Sequence, residues 1–146
     1  MKIFLAITTA LMLASTVAAS FSSCASSSSA MQFYHATFTR NPPAPGQDMC
    51  VTIVGRLSKP ITAGATLHVT ASFLGFKVYD AMLDLCDALA GGPTSCPIPT
   101  TATIMTQCLK VPSGVPQGVW INLRAVARSK DGNEYFCFQG PLKIGP

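Results

Sequence analysis

Apolar and polar residues alternate without interruption over residues 67–73, and this pattern constrains the fold more than any other feature of the chain. In an extended chain the apolar members would all point to one side and the polar members to the other. A helix would instead distribute the same residues around its axis. The sequence therefore predicts a half-buried β-strand over residues 65–78, bent at Gly75.

Further segments carry the same two-residue period, and none shows a sustained helical period with caps. They are separated by turns rich in Gly and Pro, such as the pair Asp131-Gly132. In the first of them, Phe33, His35 and Thr37 would share one face of an edge strand. Short strands at this spacing predict an all-β fold, an immunoglobulin-like antiparallel β-sandwich of two sheets. The predicted strands cover residues 31–39, 47–57, 65–78, 100–111, 119–128 and 134–144.

The N-terminal segment has the pattern of a secretory signal peptide. Lys2 precedes a long apolar run, and the small residues Val17, Ala18 and Ala19 follow that run. A membrane anchor is the alternative, but the run is short for a span of roughly 20 residues. We therefore expect residues 1–19 to be removed and residues 20–146 to form one domain. We expect that domain to be secreted, or to reside in the lumen of the secretory or vacuolar-lysosomal route.

All six cysteines lie after this segment, and an even number in an exported domain predicts disulfides. The spacing leaves their pairing open. A bridge between Cys86 and Cys96 would fix a loop to the end of a strand, with a turn at residues 91–93. Asp84 is expected to hold that loop by accepting hydrogen bonds from backbone amides. The sequence has no CxxC or HExxH pattern, so we expect no metal site.

Charge and motif content argue against nucleic-acid binding and catalysis. Charged residues make up 11% of the chain, where about 25% is usual, and the net charge of +4 is scattered. No dense basic patch predicts a nucleic-acid partner, although a weak attraction to anionic lipid headgroups stays open. No GxSxG motif is present, and only His35 and His68 could act as bases. We therefore expect no enzyme activity and no cofactor.

A series of short motifs runs in order along nearly all of residues 20–146, and together they resemble the ML lipid-recognition domain family. That family includes Niemann-Pick type C-like sterol carriers and fungal phosphatidylglycerol/phosphatidylinositol transfer proteins. The sequence departs from the family at Thr100, Thr101, Gln117 and Trp120, and these differences leave the ligand open. The matching motifs are Asn41-Pro42-Pro43, Pro45-Gly46-Gln47-Asp48, Gly55, Ile61-Thr62-Ala63-Gly64-Ala65, Asp84-Leu85-Cys86, Cys96-Pro97-Ile98, Val111-Pro112, Val115-Pro116-Gln117-Gly118-Val119-Trp120, Asp131-Gly132 and Tyr135-Phe136-Cys137.

The resemblance implies two sheets that splay apart to hold one lipid. It implies a secreted or luminal protein that binds and transfers a sterol or phospholipid and contacts a membrane surface transiently. The alternative is a recognition module of the same fold, with a membrane protein, a receptor or a host-defence protein as its partner. The resemblance also implies the disulfides Cys24–Cys137 and Cys86–Cys96, which leaves Cys50 and Cys108 to pair with each other.

The predicted lipid contacts come from inward strand faces and an expected rim. Small residues on those faces would leave unfilled volume, but alternation by itself is equally typical of a filled core. The prediction of a cavity therefore depends on the resemblance. Phe73, Leu74 and Phe76 around Gly75 could also contact a membrane, and Lys59 and Lys77 a phosphate. The predicted lipid-binding residues are Val69, Ala71, Phe73, Phe76, Met82, Ile98, Ile121, Leu123, Ala125, Phe136 and Phe138.

Overall fold

Two antiparallel β-sheets form the architecture of the protein, seen in a computed structural model that describes residues 20–39, 42–90 and 95–145. The predicted signal peptide and the predicted turn at residues 91–93 lie outside the described residues. No helix in these three ranges is long and apolar enough to cross a membrane. The elements are β1 (Ser22–Ser23), β2 (Met31–Phe38), β3 (Asp48–Leu57), β4 (Thr66–Phe73), β5 (Phe76–Asp84), α1 (Leu85–Ala90), β6 (Ile104–Lys110), β7 (Trp120–Arg128) and β8 (Glu134–Lys143).

One sheet has five strands in the order β1-β8-β7-β4-β5, and the other has three in the order β2-β3-β6. Every strand pair is antiparallel. The inner faces of both sheets contribute to the larger of two apolar clusters, for example Val51 from β3 and Phe136 from β8. Phe33 of β2 stacks on Phe138 of β8, with ring centroids 5.4 Å apart, and so joins the two layers. The all-β sandwich predicted from the sequence is confirmed.

The predicted strand over residues 65–78 is wrong in one respect, because it is a hairpin of two strands. β4 ends at Phe73, and β5 begins at Phe76 directly opposite it. Between them Leu74 and Gly75 have φ values of 50° and 80°. Two successive residues with positive φ make the tight hairpin turn that best matches the twist of the flanking strands. Gly75 adopts this conformation freely, whereas leucine rarely does.

A short helix, α1, follows β5 where the sequence shows no helical period. Asp84 precedes it, and its Oδ1 accepts a hydrogen bond from the backbone N–H of Asp87 at 2.9 Å. This is the N-cap arrangement that satisfies an otherwise unpaired amide of a first turn. The prediction that Asp84 binds backbone amides of this loop is confirmed. Leu85 and Leu89, four residues apart, bury the inner face of the helix.

Three disulfides cross-link the described residues, with the pairing that the family resemblance implies. Cys24–Cys137 ties the segment after β1 to β8, within the five-stranded sheet. Cys50–Cys108 joins residues that lie opposite each other on β3 and β6, within the three-stranded sheet. Cys86–Cys96 ties α1 to the segment before residue 98. Each disulfide therefore strengthens one layer or one loop, and none connects the two sheets.

Candidate functional site

A cavity of about 260 Å³ lies between the two sheets. The inner faces of β3 and β6 form one wall, and those of β4, β5, β7 and β8 form the other. Such a space is unusual, because protein interiors hold few voids larger than a water molecule. The residues in the wall are Pro43, Met49, Val51, Ile53, Leu67, Val69, Ala71, Tyr79, Leu83, Gln107, Leu109, Lys110, Val111, Pro112, Val115, Ile121, Leu123, Ala125, Phe136, Phe138, Leu142 and Ile144.

Small side chains on the central strands of the larger sheet keep this space open. Ala125 of β7 lies between Val69 of β4 and Phe138 of β8 in the register, and all three line the cavity. Ala71 lies one inward position further along β4 and also lines it. Both alanines are buried, and their methyl groups fill less space than the larger side chains around them. The core is accordingly divided into two clusters, and members of both line the cavity.

The cavity wall includes an exposed residue at the end of β6. Lys110, the last residue of that strand, is exposed and yet belongs to the cavity wall. Pro112 and Val115 from the following loop, and Pro43 from the loop before β3, complete this end. Because Lys110 is exposed and also borders the cavity, we infer that the cavity opens to solvent at this end, which we call the mouth.

The wall is apolar except for three side chains, those of Tyr79, Gln107 and Lys110. Of these three residues only Gln107 is buried, with 4% of its surface exposed. Its Nε2 has no hydrogen-bond partner among the residues that the structure describes. Gln107 escaped the sequence-based prediction, although it occupies an inward position between Met105 and Leu109 of β6. A polar residue inside an apolar alternation is the signal that could have revealed it.

Most of the residues predicted to contact lipid lie in the cavity wall. These are Val69, Ala71, Ile121, Leu123, Ala125, Phe136 and Phe138. Their binding of lipid stays a prediction, whereas their position in one cavity is a property of the structure.

Four of the predicted contacts lie outside the wall. Phe73 packs against the cluster nearest the mouth without lining the cavity. Phe76 is 76% exposed at the hairpin, and Met82 is 62% exposed because it lies on the outward side of β5. Ile98 is fully buried and pairs with Ile61 through two backbone hydrogen bonds. The expected rim of Met82 and Ile98 is therefore replaced by the loops at the mouth.

The inner face of the smaller sheet was missing from the predicted contact list. Met49, Val51 and Ile53 alternate on β3, and this alternation was visible in the sequence. The loop residues Val111, Pro112 and Val115 carry no comparable pattern. They could be placed only once the fold brought them to the end of the cavity.

A charged cluster lies on the outer face of the larger sheet, away from the cavity. His68 Nε2 is 2.6 Å from Asp80 Oδ1, and Lys77 Nζ donates to Asp80 Oδ2 at 2.7 Å. The hydrogen bond from Lys77, followed by that from His68, lowers the pKa of Asp80 below its ordinary value. All three residues are in contact with solvent. No group of His, Cys, Asp or Glu within the described ranges is arranged to hold a metal ion.

Comparison with known sequences gives one family. The family model described as ML domain matches residues 18–144. One relative is the phosphatidylglycerol/phosphatidylinositol transfer protein of Candida albicans, 31% identical over 104 residues, which are 71% of this chain and 54% of that protein. The chain spans about half the length of the first curated relatives that it matches.

Solved structures of the same fold extend the comparison. A Niemann-Pick type C2 protein from the Japanese carpenter ant superposes with a TM-score of 0.63 at 15% identity, covering 85% of this chain and 98% of that one. Chicken MD-1, solved in complex with lipid IVa, gives a TM-score of 0.56 at 12% identity, covering 85% of this chain and 87% of that one. At these identities the likeness establishes the two-sheet fold.

Proposed function

The chain belongs to the ML-domain family, and from that premise we propose that it is a secreted or luminal protein that binds a sterol or phospholipid and transfers it between membranes. The observation that carries the proposal is the apolar cavity of about 260 Å³ between the two sheets, with the exposed Lys110 at one end of its wall. The predicted signal peptide over residues 1–19 and the three disulfides support an exported location. The names of the curated relatives support transfer as the activity.

The cavity offers a lipid tail an environment close to that of a bilayer. Hiding a tail from water is worth about 0.8 kcal/mol per methylene group. A bilayer and an apolar cavity both supply this free energy, so moving the tail between them changes little overall. The volume is slightly below the about 300–1,000 Å³ that is typical of ligand pockets, which suits one tail more than a whole lipid. In this proposal the protein acts without catalysis and without a cofactor.

Transient contact with a membrane is proposed for an exposed apolar group beside the mouth, which we call the apolar tip. It consists of Leu74, Phe76 and Trp120, which are 79%, 76% and 48% exposed. Trp120 adjoins Ile121 in the cavity wall, and Leu74 follows β4 just beyond Ala71. Tryptophan favours the interface between bilayer and water, and exposed apolar groups that cluster often mark binding surfaces.

Charge at the apolar tip is proposed to favour an anionic membrane. Lys143 lies opposite Trp120 in the register of β7 and β8, and it is exposed. Lys110 at the mouth adds a second exposed cation. Lysine side chains near an anionic surface each contribute about 1 kcal/mol of attraction.

The backbone of Leu74 also supports a role for its side chain at the membrane. Leu74 has a positive φ, a conformation in which Asn or Gly would be less strained. Formation of the turn therefore does not explain why an apolar residue stands at this position.

Lipid extraction and vesicle transfer test the proposed function. Organic extracts of the protein purified from its own source should contain lipid at close to one molecule per chain by mass spectrometry. The protein should also move fluorescent phosphatidylglycerol or a fluorescent sterol between vesicles in proportion to its concentration. Absence of lipid together with absence of uptake from vesicles would reject the carrier and favour a recognition module with a protein partner.

Replacing Leu74 with Asn and Phe76 with Ser should slow transfer without weakening the lipid complex. Each apolar side chain contributes about 1.5–3 kcal/mol when it leaves water, so binding to anionic vesicles should fall at least about tenfold. Vesicle sedimentation and the rate of transfer measure this change. Tyr34→Ser is the matched control, since Tyr34 is 53% exposed on β2 and lies outside the apolar tip. Unchanged transfer by the double variant would exclude the apolar tip as the membrane contact.

A further inference from the structure

The unpaired amide of Gln107 is the least expected chemical group inside the cavity. Gln107 lies opposite Val51 on β3, and its neighbours on the same face of β6 are Met105 and Leu109. Of these side chains only that of Met105 has an acceptor, a weak thioether sulfur, and Gln107 Nε2 has no partner among the described residues. A buried donor without a partner destabilises a folded protein, and native structures contain few of them. Methionine or leucine would fill the same position without that penalty.

An ordered water molecule is a poor candidate for the missing hydrogen-bond partner of this amide. A buried water molecule needs two to four polar partners. Apart from Gln107, the polar side chains in the wall are Tyr79 and the exposed Lys110. The cavity is otherwise lined by aliphatic and aromatic groups, and apolar cavities of this kind tend to stay dry. A ligand that carries an acceptor into the cavity would satisfy the donor of Gln107 without needing further polar partners in the wall.

We propose that Gln107 donates a hydrogen bond from Nε2 to an acyl-ester carbonyl oxygen of the bound lipid. This inference rests on the proposed lipid-binding function and adds the lipid class and the residue that selects it. The proposal assigns Gln107 a specificity role, since it would contact the ligand directly.

The distance from the mouth favours an ester group over a sterol hydroxyl. Gln107 lies three residues before Lys110 on β6, and a strand rises about 3.3 Å per residue, so their Cα atoms are about 10 Å apart. A glycerophospholipid that inserts one of its tails keeps its phosphate at the mouth, near Lys110. The ester carbonyls, which link the headgroup region to the tails, then lie deeper and accept hydrogen bonds without donating any. A sterol has one polar group, so it could interact with Lys110 at the mouth or with Gln107 inside the cavity, but not with both.

A pair of lipids that differ only in this carbonyl tests the proposal in the wild-type protein. The probes are diacyl phosphatidylglycerol and its dialkyl ether analogue, with the same headgroup and chain lengths, each used to displace a fluorescent fatty acid. The diacyl lipid should bind about five- to 150-fold more tightly, because the ether leaves the buried donor unpaired. The ¹⁵N-coupled side-chain amide signals of Gln107 should also shift with the diacyl lipid and stay unchanged with the ether.

Gln107→Met keeps the length of the side chain and removes the donor. In this variant the preference for the ester should fall below about twofold, and the free protein should melt at a higher temperature than the wild type. Gln139→Met is the matched control, since Gln139 lies on β8 outside the cavity wall. It should leave the preference unchanged.

The outcomes separate the two proposals. Equal binding of both lipids by the wild type, with unmoved Gln107 signals, would overturn the role of Gln107 and leave the carrier function standing. Binding of neither lipid would overturn both. If Gln107→Met does not fold, the wild-type comparison and the amide signals still decide the question.

Discussion

Replacing Ala125 with phenylalanine should abolish lipid uptake and leave the protein folded. The Ala125 side chain points into the cavity from the central part of β7, and it is 4% exposed. A phenyl ring there would occupy space that the native protein leaves empty, so the tail would lose its place. We expect transfer of fluorescent phosphatidylglycerol to fall to background. We also expect the melting temperature to stay the same or rise, since the ring buries apolar surface in an existing void.

Ala127→Phe is the control that distinguishes a cavity from a filled core. Ala127 lies two residues further along β7 on the same inward side, is 0% exposed, and is outside the cavity wall. A ring at this position must displace packed neighbours, which typically costs about 1–3 kcal/mol. Thermal unfolding followed by circular dichroism measures both variants. If Ala125→Phe loses as much stability as Ala127→Phe, or if it still transfers lipid, the cavity is not the lipid site.

Removing the Cys24–Cys137 disulfide should produce the largest loss of stability of any cross-link. The two cysteines are 113 residues apart, and closing a loop of that length restricts the unfolded chain by about 5 kcal/mol. Cys86–Cys96 spans 10 residues, for which the same relation gives about 3 kcal/mol. Domains are commonly stable by only about 5–15 kcal/mol in total. The double variant Cys24→Ala, Cys137→Ala should therefore be partly unfolded at 37 °C.

Urea denaturation of the two alanine double variants measures this difference directly. The Cys86→Ala, Cys96→Ala protein serves as the control, because it also loses one disulfide but closes a short loop. We expect its midpoint to lie well above that of the Cys24→Ala, Cys137→Ala protein. The reverse order would mean that loop length does not govern the contribution of these cross-links.

The sandwich was predictable because burial on one face of a sheet leaves a period of two in the sequence. The alternation on β3 and β7 indicated that both segments are strands, and the contacts predicted on the inward face of β7 lie in the cavity wall. The disulfide pairing was not predictable in this way. Cysteine spacing alone leaves many pairings open, and the family resemblance supplied the one that the structure contains.

Local backbone conformation explains what the sequence pattern missed. Leucine is an unusual residue for a turn with positive φ, so Leu74 concealed the hairpin between β4 and β5. In β2 the register shifts between Phe33 and His35, which places Ala36 rather than His35 toward the core. A strict alternation cannot anticipate such a bulge, since one extra residue moves all later side chains to the other face. The volume of the cavity also depends on how far apart the sheets lie, which no single strand specifies.

The absence of a disulfide between the two sheets affects the range of ligands that the cavity could hold. Cys24–Cys137 lies within the larger sheet, and Cys50–Cys108 lies within the smaller one. The spacing between the layers is therefore governed by side-chain packing and by the connecting loops. If the protein binds lipid as proposed, we expect each cross-linked layer to keep its shape while the gap between the layers widens for a bulky ligand and narrows after its release. One chain would then accommodate tails of different girth without breaking a covalent bond.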